Sequence, residues 1–451
     1  MTFQVLNMHN KHPLVSRYQS IVNTGSEWVT NAPLHWLSLP LCVLAKIKSI
    51  VNRKNEDLLS VYLELGVIKF EDVDVKRTNA TSMDLSSYQL VESGDFVLNN
   101  QQAWRGSVGV SKFRGIVSPA YLVLDLDERL DSGFANYLFR DCSMVGQYLI
   151  SSKGVGTIQR NLYWAHLRRA TVYLPPMLEQ AAIVNFLDTR TMQIDQAIRL
   201  KERQVELLKE RKQILIQQAV IRGLDPGASM RNSGVEWIGE IPAHWEVVRL
   251  KFLFEEINER TKTGEETLLS LRMEKGLVPH DDVSDKEITN ENLVDYKIVR
   301  PGQVVMNRMR AAIGIFGVSS RLGLVSPDYT VFDINERAAS SFFLRLFKSP
   351  LLGTQFRLNS KGLGTGASGF MRLYTESFGN IKVAVPPLSE QLEIQRFIDS
   401  ASDRLDNACT LFEQQIIRLK EYKLTLINSA VTGKIKVPGV VEPERQNVEV
   451  A

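Results

Sequence analysis

Apolar residues recur at alternating steps of three and four along two long stretches of this chain. In the first, Leu187, Thr191, Ile194, Ile198, Lys201, Val205, Leu208, Lys212, Leu215 and Ala219 keep one frame, and seven of the ten are apolar. In the second, Ile398, Ser402, Leu405, Cys409, Phe412, Ile416, Leu419, Lys423, Leu426 and Ala430 keep the same frame, with eight apolar. A seam held this long is the signature of a coiled-coil helix. Each helix is expected to be roughly 50 Å long at 1.5 Å per residue. A proline pair opens each stretch, and Gly223 and Gly433 suit the C-terminal stops.

The two stretches are copies. Pro175, Gln180, Asp195 and Ala219 match Pro386, Gln391, Asp406 and Ala430 at a constant shift of 211. The duplication extends upstream. Glu27, Trp28, Pro33, His35 and Trp36 match Glu236, Trp237, Pro242, His244 and Trp245 at a shift of 209. Val117-Ser118-Pro119 matches Val325-Ser326-Pro327 at 208. Repeats of this kind dictate the domain plan before any fold is assigned. Between them, apolar runs bounded by turn residues predict strands at 59–65, 95–99, 120–126, 302–306, 329–334 and 381–385. Amphipathic helices are predicted at 134–150 and 340–358.

The reading is an α+β protein: two tandem α+β domains separated by two long helices that form an antiparallel coiled coil, with pseudo-two-fold character. The segments are an N-terminal arm at 1–24, a first domain at 25–174, a first helix at 175–223, a linker at 224–234, a second domain at 235–385, a second helix at 386–433 and a disordered tail at 434–451. The linker is short, so the second domain begins where the first helix ends, and two paired helices must run antiparallel. That geometry predicts a helical rod with a globular domain at each end.

Composition adds bounds. Lys and Arg number 54 against 51 Asp and Glu, a net charge of +3 that does not announce a polyanion partner. The three cysteines, Cys42, Cys142 and Cys409, are scattered, which fits a reducing compartment and offers no disulfide or zinc framework. The opening residues lack the apolar core of a signal peptide, and the apolar run at 37–45 is too short to span a bilayer. A cytoplasmic protein away from membranes is expected.

The candidate chemistry is doubled too. Lys153, Gly154, Gly156 and Thr157 in one half and Lys361, Gly362, Gly364 and Thr365 in the other spell Lys-Gly-x-Gly-Thr after a helix. Such a loop exposes backbone N–H groups beside a lysine, as a phosphate oxygen requires, and Arg160 and Arg372 follow. A plain glycine-rich turn is the alternative. Arg105, Arg308 and Arg310 follow Asn99 and Asn307, and arginine and asparagine are the side chains that read guanine and adenine edges. The asparagines serve equally as turn formers. Glycines 364, 366 and 369 fit Gly-x-Gly-x-x-Gly but follow a helix instead of opening one, so no dinucleotide site is expected. His35 and His244 have no second ligand at metal spacing and are expected to pack. Lys201, Lys212 and Lys423 sit on the seam, where they tune register or snorkel. No phosphate-binding Gly-x-x-x-x-Gly-Lys-Ser/Thr, His-Glu-x-x-His or Asn-Pro-Pro-aromatic element occurs. Catalysis by this chain alone is not expected.

Pro-Pro-x-x-Glu-Gln at 175–180 and 386–391, the Trp-containing segment at 233–245 and the Lys-Gly-x-Gly-Thr elements together resemble the specificity subunit of type I restriction–modification enzymes. The resemblance covers roughly 26–433; the segment at 26–41 departs from it in lacking the Gly239-Glu240 pair of the second copy. It implies that each domain is a target recognition domain reading half of a split site in double-stranded DNA. It implies that the helices space the readers and dock two methyltransferase subunits, and that two restriction subunits join. This chain would have no cofactor; its partners would use S-adenosylmethionine, ATP and Mg2+. The residues singled out for DNA are Arg105, Lys153, Gly154, Gly156, Thr157, Arg160, Arg308, Arg310, Lys361, Gly362, Gly364, Thr365 and Arg372. The contrasting reading is a scaffold that holds two protein partners at the ends of a rod.

Overall fold

The computed structural model describes residues 15–63, 65–72, 84–155, 159–285, 288–363 and 370–443. The chain folds into two compact units, of which the first is assembled from both ends of the chain and the second is continuous. One comprises residues 1–201 with 414–451, the other 202–413. Each unit therefore takes one α+β domain, the beginning of the helix that follows it and the end of the other long helix.

Both units have the same topology. In the first, a four-stranded antiparallel sheet runs in the order Ala45–Ile47, Tyr121–Leu126, Phe96–Asn99, Val108–Val110. In the second, the order is Phe254–Ile257, Tyr329–Ile334, Val304–Asn307, Phe316–Val318. The central strands read as nearly continuous apolar runs because both faces of the sheet are buried. Phe96, Leu98 and Leu124 enter the main core, while Val97 and Val123 enter a smaller one under the hairpin Leu59–Tyr62/Gly66–Lys69. Val304, Met306 and Phe332 against Val305 and Val331 repeat the division in the second unit. That hairpin corrects the single strand expected at 59–65, which turns back after Tyr62.

Each expected amphipathic helix is two helices. Ser132–Arg140 gives way to Cys142–Ile150 at Asp141, whose extended backbone (φ −70°, ψ 152°) and side chain, accepting from Ser143 N at 2.9 Å, cap the second helix. Ser340–Phe347 gives way to Pro350–Leu358 at Ser349, because a residue before proline is pushed out of helix and proline suits a first turn. Phe134, Leu138, Phe139, Met144 and Tyr148 of the first pair fill the core against Ile183, Leu187 and Ile194 of the long helix.

The long helices span Met177–Arg222 and Leu388–Val431, 46 and 44 residues. At 1.5 Å per residue each is nearer 70 Å than the expected ~50 Å. All the seam positions are buried or half-buried, the lysines included. The pairing is antiparallel within each unit. Lys423 Nζ meets Asp195 and Lys201 Nζ donates to Gln415 Oε1 in the first; Lys212 Nζ meets Asp406 in the second. Gly433 ends the second helix at φ +72°, where a Cβ would lie 2.3 Å from Pro33 Cδ. A side chain there is excluded by both conformation and space.

Two terminal segments differ from expectation. Residues 15–24, expected as a loose arm, place Ile21–Asn23 in a strand against Asn31–Pro33 and bury Tyr18. Residues 434–443, expected within a disordered tail, return to the first unit. Ser16 and Lys436 exchange backbone hydrogen bonds of 3.2 and 2.8 Å, and Val437 is buried. The apolar side chains of Ile435, Val437 and Val440 join the main core, which is what orders them.

Candidate nucleic-acid interface

The Pro-Pro-x-x-Glu-Gln motif is the clamp that seats each domain on its helix. Glu179, 5% exposed, accepts from His35 Nε2 at 2.7 Å, from Trp36 Nε1 at 2.9 Å and from the Tyr18 hydroxyl. Burial beside this carboxylate pushes the Tyr18 phenol far above its ordinary range. Glu390 holds His244 at 2.7 Å and Trp245 at 3.1 Å in the same way. Gln180, fully buried, donates to the Arg129 and Pro175 carbonyls and accepts from Asp131 N; Gln391 repeats this with Arg337, Pro386 and Ala339. His35 thus packs, as expected, while His244 stays exposed, and both bond a carboxylate whose role the sequence reading missed.

Other elements carry the candidate binding residues. In the first unit a hairpin joins Ser152–Val155 to Gln159–Leu162, with Lys153 across from Asn161 and Gly154 across from Arg160. Lys153 and Gly154 therefore lie in a strand and not in a turn. Cross-strand partners share a face and successive residues alternate, so Lys153 and Arg160 leave the hairpin on opposite faces. Arg160 instead approaches Trp104, its guanidinium carbon 5.6 Å from the ring centroid, and Arg105 lies over the same ring at 4.7 Å. Trp104 is fixed by its indole N–H donating to Gln101 O at 3.0 Å. Lys153 Nζ is 5.4 Å from the Tyr163 ring. Each cation–ring approach is worth about 0.5–1 kcal/mol at an exposed site. Between these groups an open hollow is lined by Asn100, Gln101, Ala120, Asn161, Leu162 and Tyr163.

In the second unit, Lys361–Leu363 pairs with Phe370–Arg372, and Lys361 lies across from Arg372 on one face. Arg372 Nη2 donates to Asp328 Oδ1 at 2.9 Å, and Arg308 Nε donates to Thr330 Oγ1 at 2.9 Å. Leu373 N donates to the Arg308 carbonyl at 3.0 Å, which sets the two arginines side by side. Arg310 is exposed. Burial raises the Tyr329 phenol, against the opposing pull of Arg272, Asn307 and Arg310. It lowers the ammonium of Lys297, 1% exposed, despite Glu256 at 3.2 Å.

Asn99 and Asn307 are turn formers. Asn99 Oδ1 accepts from Gln101 N at 3.0 Å, and Asn307 Oδ1 from Met309 N and Arg310 N at 3.1 and 3.2 Å. The turns close at Gly106 and Gly314, whose φ of +98° and +79° favour glycine. Strand register makes Asn100 the counterpart of Arg308, and Asn161 the counterpart of Arg372. Arg105 follows the turn at the place of Ile313, and Arg160 stands at the place of Met371, so the arginines chosen in the two halves are not equivalent. Gly362 is exposed beside Lys361. Gly156, Thr157, Gly364 and Thr365 lie outside the described residues. Among the described residues no group of three or more His, Cys, Asp or Glu is placed to hold a metal, and no helix is long and apolar enough to cross a membrane.

No family model matches the chain. The MjaVIII specificity subunit of a type I restriction enzyme from Methanocaldococcus jannaschii is 24% identical over 374 residues, 77% of this chain and 80% of the relative. The EcoKI specificity subunit from Escherichia coli is 21% identical over 440 residues, 89% and 90% of the two chains. Among solved structures, a chain of a type I R-M system superposes with a TM-score of 0.62 at 16% identity, covering 89% of this chain and 98% of that one. The HsdS subunit from Thermoanaerobacter tengcongensis does so at 0.53 and 17%, with the same coverage. The fold is a duplication, two copies of one scaffold with different side chains at the same places. The chain is thus similar over most of its length to specificity subunits of type I restriction enzymes, and it has the fold of the solved HsdS subunit.

Proposed function

We propose that each unit reads one half of a bipartite, asymmetric site in double-stranded DNA, and that the long helices set the gap between the halves and dock two methyltransferase subunits. The observation that carries the reading is unlike chemistry on like backbone. Asn100, Gln102 and Asn161 occupy the positions of Arg308, Arg310 and Arg372 in a matched strand register. A scaffold for two identical partners has no need of this divergence, whereas two readers of different half-sites require it. Cations beside aromatic rings in the first unit, and paired arginines beside Lys361 in the second, suit a phosphate-lined groove. In the cytoplasm, the methyltransferase subunits would supply S-adenosylmethionine chemistry, and two restriction subunits would add ATP- and Mg2+-dependent cleavage.

The test is reconstitution. The full chain with its methyltransferase partner and S-adenosylmethionine should methylate one split sequence, and exchanging residues 235–385 for those of another specificity subunit should replace one half of that sequence only. Methylation unaffected by the exchange, or transfer by the single chain, overturns the proposal.

A further inference from the structure

The two arginines set side by side in the second unit are each held by a group that the first unit lacks. Thr330, wholly buried, engages Arg308 Nε, and Asp328, two residues earlier, engages Arg372 Nη2. The residues at these places in the first unit are Ala120 and Leu122, and neither side chain can accept a hydrogen bond. The remaining N–H donors of Arg308 and Arg372 have no partner among the described residues. An oriented guanidinium with open N–H donors matches the O6 and N7 acceptors of guanine, whereas an amide matches N6 and N7 of adenine. Asn100 and Asn161 are amides at the matching places, bordering the open hollow.

Resting on the reading of each unit as a half-site reader, we propose that Arg308 and Arg372 read guanine edges in the second half-site, with Thr330 and Asp328 as positioning residues, and that Asn100 and Asn161 read adenine in the first. Fixing one N–H of each arginine removes rotamer freedom before DNA arrives. That favours bidentate geometry over the loose approach of a phosphate clamp. Lys361, across the hairpin from Arg372, is left to the backbone of the same half-site.

The experiment uses the full chain with its methyltransferase partner, selecting from a duplex library randomised over both half-sites. Wild type should select guanine in one half-site. Arg308→Ala and Arg372→Ala should each lower discrimination at one guanine by about tenfold or more. Arg308→Lys keeps the charge and should lose that discrimination too. Thr330→Val, close in shape, should lower discrimination at the Arg308 position more than affinity for the pool, and Thr330→Ser should restore it. Asn100→Ala and Asn161→Ala should relax adenine in the other half-site. A second half-site without guanine, a preference surviving in Arg308→Lys, or equal loss across all sequences in Arg308→Ala overturns the inference while the half-site reading stands. A wild-type complex with no sequence preference overturns both.

Discussion

Lys423 donates to both carboxylate oxygens of Asp195, at 2.8 and 2.7 Å. The equivalent residues with roles exchanged, Lys212 and Asp406, make the same pair in the other unit at 2.8 and 2.6 Å. A lysine on an apolar seam costs packing, and its ion pair sets which residues face one another. Because these side chains are partly exposed, each pair contributes at most about 1 kcal/mol. Lys423→Asp should lower stability by about 1 kcal/mol by opposing two carboxylates, and Lys423→Asp with Asp195→Lys should recover most of it. Denaturant unfolding of the single and exchanged variants reads the difference. No recovery would mean that the pair does not set register.

Glu179 serves three buried or half-buried donors, and Glu390 serves two, of which His244 is well exposed. Removing an acceptor leaves its donors desolvated and unpaired, at about 1–3 kcal/mol for a buried group. Glu179→Ala should therefore cost about 3 kcal/mol, and Glu390→Ala less. Hydrogen exchange should show protection lost around residues 33–40 in the first variant and around 242–249 in the second. Equal, small effects would show that the helix starts are held by apolar packing alone.

Lys297 is a buried cation whose folded-state proton affinity is lowered by burial. The folded chain then holds this proton less tightly than the unfolded one. Its contribution to stability rises with pH between the depressed value and the ordinary lysine value of about 10.5. The first unit has Gln89 and Ile47 where the second has Lys297 and Glu256. Lys297→Gln with Glu256→Ile should keep stability at pH 7 or raise it by about 1–2 kcal/mol, since an ion pair in the interior repays its desolvation poorly. It should also remove the alkaline rise. Denaturant midpoints from pH 7 to 10 decide the matter, and an unchanged slope would assign the rise to other groups.

Heptads 200–206 and 412–418 lie between the two Lys–Asp pairs on their helices. Deleting both keeps the seam in phase and leaves Asp195, Lys212, Asp406 and Lys423 in place. Each helix shortens by about 10 Å, or about three base pairs at ~3.4 Å each. If the helices set the gap, methylome sequencing of cells carrying the deletion with its partner subunits should find a shorter spacer between unchanged half-sites, or no methylation. Full activity at the original spacing would leave the helices as a dock only.

The duplication, the two heptad seams and most strands were legible in the chain because each is a local or periodic signal. Leu187 to Ala219 and Ile398 to Ala430 face inward at every frame position since 3.5-residue spacing leaves no other choice. Pro350 also carried a readable sign that the helix at 340–358 would break; Asp141, one polar residue among many, did not. What the tertiary structure alone decided is which side chains converge. Arg105 was grouped with Arg308 and Arg160 with Arg372, yet strand register assigns Asn100 and Asn161 to those places. The offset between the copies drifts from 209 to 208 to 211, and in a strand a slip of one residue moves a side chain to the other face. Trp104 under Arg160, Thr330 against Arg308 and Glu179 against Trp36 join residues 22 to 143 positions apart. No periodicity encodes such meetings; they follow from sheet pairing and helix packing, which the chain completes only when folded.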